Sequence, residues 1–124
     1  GMGLTYIATQ DTVDSKKDVT SRFLSATIKS LHYVIDNPEE ALEVVMQYAP
    51  NADREHQRFM LATEIRDSVG PVTELSGLGS MTDNQWKALY DQLLYHKVLK
   101  GPFDYTTAFT NEFLEEIYQN TKFK

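Results

Sequence analysis

The stretch from Leu31 to Asp53, "LHYVIDNPEEALEVVMQYAPNAD", constrains the fold more than any other, because it holds a helix ending, a helix start, a second helix and its stop. Asp36 and Asn37 close the first periodic run. Asn37 then stands as the cap of the next helix, and Pro38 fits its first position, where a missing N–H costs nothing. Glu40, at the third position, is placed to complete a capping box with Asn37. Leu42, Val45, Met46 and Ala49 supply a buried face, and Ala49-Pro50 ends the helix because the residue before proline is pushed out of helical geometry. The stretch predicts a helical hairpin joint.

The same punctuation recurs along the chain. Between Lys17 and Ile35, Val19, Phe23, Ala26, Ser30 and Val34 mark one apolar stripe, with Leu24, Ile28, Leu31 and Ile35 beside it. A stripe this wide predicts a helix covered on more than one side. Asp53 caps a third helix running to about Val69, with Phe59, Ala62 and Ile65 inward and Glu55 placed for Arg58. Residues 70–80, "GPVTELSGLGS", break the periodicity and read as an irregular loop. Thr82 and Gln85 form a capping box for a fourth helix that turns Trp86, Leu89, Tyr90, Leu93 and Leu94 inward and pairs Asp83 with Lys87. Lys97 and Lys100 complement its negative end, Gly101 is expected to supply a left-handed cap, and Pro102 prevents continuation. A last helix starts near Asn111, and the tail "NTKFK" is expected to fray.

Only Leu4–Thr9, "LTYIAT", has the alternation and the β-branched and aromatic content of a strand. A single strand cannot satisfy its own edges, so this one needs a partner that the rest of the sequence does not supply. The expected architecture is therefore mainly α: about five helices with one N-terminal strand, in a single partial domain over residues 1–124, with the helical region at 17–118. Gly1 before Met2 reads as the remnant of a cleaved tag, so residues 1–3 are set apart as scar and start.

Length and charge narrow the function. A chain of 124 residues suits one domain. Its formal net charge of -6 argues against a nucleic-acid or anionic-membrane partner, since phosphate binding needs surplus Lys and Arg. The absence of cysteine removes disulfides, thiolate metal sites and Cys nucleophiles. No apolar run approaches a spanning length of about 18 residues, and the first thirty residues lack a basic stretch followed by an apolar one, so no membrane insertion is expected.

The chemistry-bearing residues do not assemble into a motif. His32, His56 and His96 fall in separate predicted helices with no paired spacing, which predicts no metal site. Glu39-Glu40 and Glu115-Glu116 are neighbours about 100° apart on a helix and cannot share a proton; the helix dipole explains the first pair and a solvated face the second. The loop "SGLGSM", Ser76–Met81, lacks phosphate-loop spacing, and a plain connection is the simpler reading. Trp86 and most tyrosines fall at core-facing helical positions, which favours packing over ligand stacking. Tyr6, on the expected strand, is the exception. Nothing provides a nucleophile with a base, so no catalytic residue, cofactor or enzymatic activity is expected.

The order of "YIAT", a long helix, "NPEEALEVVMQYAP", "DREHQRF", "GLGSMTDNQW" and "TNEFLEE" resembles the C-terminal portion of the NMT1/THI5-like family. Its most specific pieces are Asn37–Ala41, Gly79–Trp86 and Asn111–Leu114. The resemblance implies a type II periplasmic-binding-protein fold of two α/β lobes, of which this chain matches the last section. It implies binding of a small organic solute such as a thiamine-pyrimidine precursor, a sulfonate or nitrate, delivery to an ABC permease, and an exported or lipid-anchored parent. Most ligand contacts in such a fold lie upstream, and Tyr6, near the implied hinge strand, is the one position nominated for ligand binding. The pyrimidine synthases of the family use a cysteine-rich motif, and this chain has no cysteine. The alternative expectation is a stand-alone helical interaction module that self-associates, as a homodimer, to cover its strand edge and apolar surface.

Overall fold

The computed structural model describes residues 3–120, so the expectations for the Gly1-Met2 remnant and for the tail beyond Asn120 lie outside the described residues. Among the described residues seven α-helices follow one another: α1 (Gln10–Ser15), α2 (Lys17–Asp36), α3 (Pro38–Tyr48), α4 (Arg54–Ser68), α5 (Pro71–Ser76), α6 (Asp83–Tyr95) and α7 (Glu112–Asn120), with a 3-10 helix at Tyr105–Ala108 before α7. The mainly helical class is borne out. The strand at 4–9 is not: residues 3–9 run without strand pairing, and no strand occurs among the described residues. The segment ends instead in a cap, where the Thr12 N–H donates to Thr9 Oγ1 at 3.1 Å and opens α1. With no second strand to complete a ladder, the local helix signal of Thr9 and Asp11 prevails.

α2 is the spine, with α1, α3 and α7 packed against it, while α4 packs on α3 and the 3-10 helix on α6. The core is small. Ile28 of α2, Leu78 of the loop after α5 and Leu114 of α7 form a buried cluster, with Ile35 and Tyr118 against it. Ala41 and Leu42 of α3 and Phe113 and Ile117 of α7 are the other buried apolar residues, Leu42 being fully covered. A fully buried leucine contributes about 1.5–3 kcal/mol, so this cluster anchors the spine without sheathing it.

Several local expectations need correction. Asn37 does not cap α3 through its side chain: its Nδ2 donates back to the Tyr33 carbonyl at 3.0 Å, and Glu40 accepts from the Tyr33 hydroxyl, so the anticipated box is replaced by contacts to the end of α2. Residues 71–76 are helical, because Gly70-Pro71 places proline at a helix's first position; Thr73 Oγ1 ties the start by accepting from the Gly70 N–H at 2.8 Å. Lys87 pairs with Asp91 at 2.6 Å, while Asp83 accepts from the Tyr105 hydroxyl at 3.0 Å. The apolar faces of α2 and α4 are not covered as expected, since Phe23 and Phe59 are exposed; Tyr48 at the end of α3 and Tyr95 at the end of α6 are exposed as well. The Asp53 cap, accepting from His56 N–H at 2.7 Å, the Thr82–Gln85 box and the Glu55–Arg58 pair form as the sequence predicts.

Candidate functional site

The loop from Gly77 to Thr82 is braced rather than slack. Gly77 has φ 98° and Gly79 φ 83°, in the left-handed region that glycine enters without penalty. A Cβ on Gly77 would collide with the Tyr118 ring, and one on Gly79 would lie 3.4 Å from Leu114 Cδ1, so the loop can lie flat on α7. The Tyr118 hydroxyl donates to the Leu78 carbonyl at 2.5 Å. Burial of this phenol pushes its pKa up to about 12. Asn111 grips Met81 twice: its Oδ1 accepts from the Met81 N–H at 3.1 Å and its Nδ2 donates to the Met81 carbonyl at 2.7 Å. Trp86 donates its Nε1–H to Met81 Sδ at 3.3 Å and stacks on Phe109 with ring centroids 5.0 Å apart.

These braces bound an open groove of about 330 Å³ between α5, the loop and α7. Val72 and Leu75 form its apolar wall, and Ser76, Ser80, Thr82, Asn111, Tyr118 and Gln119 line it with neutral polar groups. Among the described residues Glu115 is the single charged one on its wall. The volume lies at the lower end for small-molecule sites. The arrangement can hydrogen-bond a neutral or cationic organic group, and among the described residues no Lys or Arg lines it to meet an anion.

The sequence-predicted residues are only partly brought together. Gly79–Trp86 and Asn111–Leu114 meet at this junction, whereas Tyr6 does not line the groove. Tyr6 is 69% exposed and meets Phe23 of α2 edge-on, with centroids 5.2 Å apart. His56 opens α4, His96 follows α6 edge-on to Tyr95, and His32 lies within α2. Among the described residues no group of three or more His, Asp or Glu is placed to hold a metal ion, and no helix is long and apolar enough to cross a membrane. Glu39 has a tertiary partner: Arg58 of α4 donates to both its oxygens at 3.1 and 3.0 Å, and this holds the carboxyl below its ordinary pKa. The bracing roles of Asn111 and Tyr118 escape sequence reading, since they are contacts over 30 and 40 residues; the one local signal is the polar Asn111 at a helix start.

Comparison with known proteins finds two similarities in sequence. A family model described as NMT1/THI5 like matches residues 1–41, covering the N-terminal segment, α1, α2 and the start of α3. The match covers a third of the chain and stops before the groove, whose lining lies within residues 72–119. The chain is also 28% identical over 100 residues to the riboflavin-binding protein RibY of Chloroflexus aurantiacus, a match covering 78% of this chain and 28% of that protein. It thus spans just over a quarter of the curated relative's length. No solved structure matches.

Proposed function

We propose that this chain is a section of a non-catalytic solute-binding protein whose ligand is a small nitrogen heterocycle. The similarity to a riboflavin-binding protein, together with the family match, carries the binding-protein reading. The wall of the groove narrows the solute within the family's range. Neutral hydrogen-bonding groups and one carboxylate suit the ring nitrogens and amino groups of a pyrimidine or an isoalloxazine, and they disfavour nitrate and sulfonates. Tyr6 contributes an exposed aromatic ring at the N-terminal edge, suited to stacking on a flat ligand in the longer protein. In that protein the helices serve as scaffold for a binding lobe, and delivery to an ABC permease follows from the same reading.

The test is native mass spectrometry of the gently purified chain, followed by titration with riboflavin, an aminopyrimidine, nitrate and an alkanesulfonate. The expected result is added mass that denaturation releases, with saturable binding of a heterocycle that Glu115→Lys weakens. Saturable binding of the anions alone, or of none of the four, sinks the reading.

A further inference from the structure

The Met81 side chain is held from both ends. Asn111 fixes its backbone through two hydrogen bonds, and Trp86 donates its Nε1–H to Met81 Sδ at 3.3 Å. Trp86 is itself fixed, since its ring stacks on Phe109 with the two planes only 4° apart. A partly buried indole N–H seeks an acceptor, and here a thioether sulfur fills that role. The same methionine is half-buried and lines the groove between α5, the loop and α7. Its sulfur is therefore engaged on one side by a rigid donor, at the wall of an open cavity.

The chemistry of a thioether makes that placement stereochemical. Sulfur carries two lone pairs, and adding oxygen to one or the other gives opposite sulfoxide epimers. On a freely rotating side chain both are equally accessible. At Met81 the Trp86 N–H occupies one and thereby orients the other.

We propose that Met81 is a site of stereoselective oxidation by hydrogen peroxide entering through the groove, and that the oxidation releases Trp86. The open lone pair attacks one peroxide oxygen; the S–O bond forms as the O–O bond breaks. The second oxygen leaves as hydroxide and takes the proton of the transferred one, giving the sulfoxide and water. Sulfur gives up two electrons and the peroxide takes them. The sulfoxide sulfur is positively polarised and no longer accepts from the Trp86 N–H, while the new oxygen adds a strong acceptor to a wall of mostly neutral polar groups. The contact that ties the first turn of α6 to the loop is lost. This inference does not rest on the solute reading, because peroxide is the one reactant it needs.

Two internal references make the test direct: Met60, 45% exposed on α4, and Trp86 as the sole tryptophan. The full chain is treated with hydrogen peroxide, folded and in concentrated urea, then digested, and each methionine peptide is assayed with the two epimer-specific sulfoxide reductases. In the folded chain Met81 is expected to give one epimer in at least about fivefold excess, the bias that a hydrogen bond of ordinary net strength imposes on an orientation. Met60 is expected to give both nearly equally, and so is Met81 in urea. Trp86→Phe retains a ring against Phe109, removes the N–H, and is expected to bring Met81 to near equality with helical circular dichroism unchanged. Should that variant fail to fold, the comparison of folded with urea-treated wild-type chain decides alone. Trp86 emission is expected to shift as Met81 is oxidised and to stay constant in Met81→Leu. Equal epimers at Met81 in the folded chain overturn the proposal. So does a Met81 that oxidises only when the chain unfolds, since peroxide would then not reach it through the groove. A folded Trp86→Phe chain that keeps the single epimer overturns it too, because another group would be orienting the sulfur.

Discussion

Gly77 and Tyr118 depend on each other, and each gives a measurable consequence. Gly77 combines φ 98° with a ring where a Cβ would stand, so Gly77→Ala is strained in its backbone and displaces Tyr118 from the cluster. We expect a cost of about 2–4 kcal/mol in urea unfolding. Gly101→Ala meets nothing within 4 Å and is the matched control, expected to be neutral; equal effects would show that the loop does not rest on α7. Tyr118 sets a pH limit. Its unfolded phenol ionises near the ordinary 10.0, whereas the folded one keeps its proton to about 12. The unfolded chain therefore binds fewer protons between these values, and the stability this group contributes, complete below pH about 10, is lost as pH rises through about 12. Tyr118→Phe should cost about 1 kcal/mol at neutral pH by removing the bond to the Leu78 carbonyl. It should also flatten the alkaline fall in the urea midpoint; an unchanged fall would assign that limb to other tyrosines.

At the scale of elements, caps were legible and their long-range alternatives were not. Asp53 and Thr82 cap as their sequence context dictates, since the acceptor and the N–H it serves lie within three residues. Asn37 and Glu40 have the same local grammar, yet Tyr33 on the preceding helix competes for both, and nothing within the motif announces that. The end of α6 shows the same limit. Gly101 does not make the left-handed turn; Lys97 does, with φ 57°. Val98 N–H reaches the Leu93 carbonyl at 2.9 Å and Lys97 N–H the Leu94 carbonyl at 3.0 Å, the two bonds of a Schellman ending. The helix stops one turn before the glycine because those carbonyls are already satisfied. Lysine in this conformation stores strain, so Lys97→Gly is expected to raise stability by about 1 kcal/mol, read as a higher midpoint in thermal or urea unfolding. A lower midpoint would mean that the Lys97 side chain contributes more than its backbone costs. For the groove, the sequence made two of its walls visible as fragments of resemblance, Gly79–Trp86 and Asn111–Leu114, but their meeting depends on Asn111 reaching Met81 across 30 residues.

For the whole molecule, the periodicity of α2 specifies the helix and leaves its coverage open, for a physical reason: apolar spacing specifies that a face seeks a partner, without specifying that the same chain provides one. Val19, Phe23 and Phe59 have the pattern of core residues and lie at the surface. The consequence reaches global unfolding. An unfolded chain of this mass exposes about 20,600 Å², so folding to 9440 Å² removes about 11,100 Å², some four-fifths of what a compact monomer of equal mass would bury. The urea m-value scales with that area and should be about a fifth below the value for compact proteins of this length. The concentration dependence separates the two ways of reaching a higher value. Self-association buries the missing surface, so both m and the midpoint rise with protein concentration. A chain that acquires its cover only within a longer protein keeps a low m-value and a fixed midpoint at every concentration. A normal m-value independent of concentration would show that the helices close on themselves in solution more fully than the exposure of Phe23 and Phe59 permits.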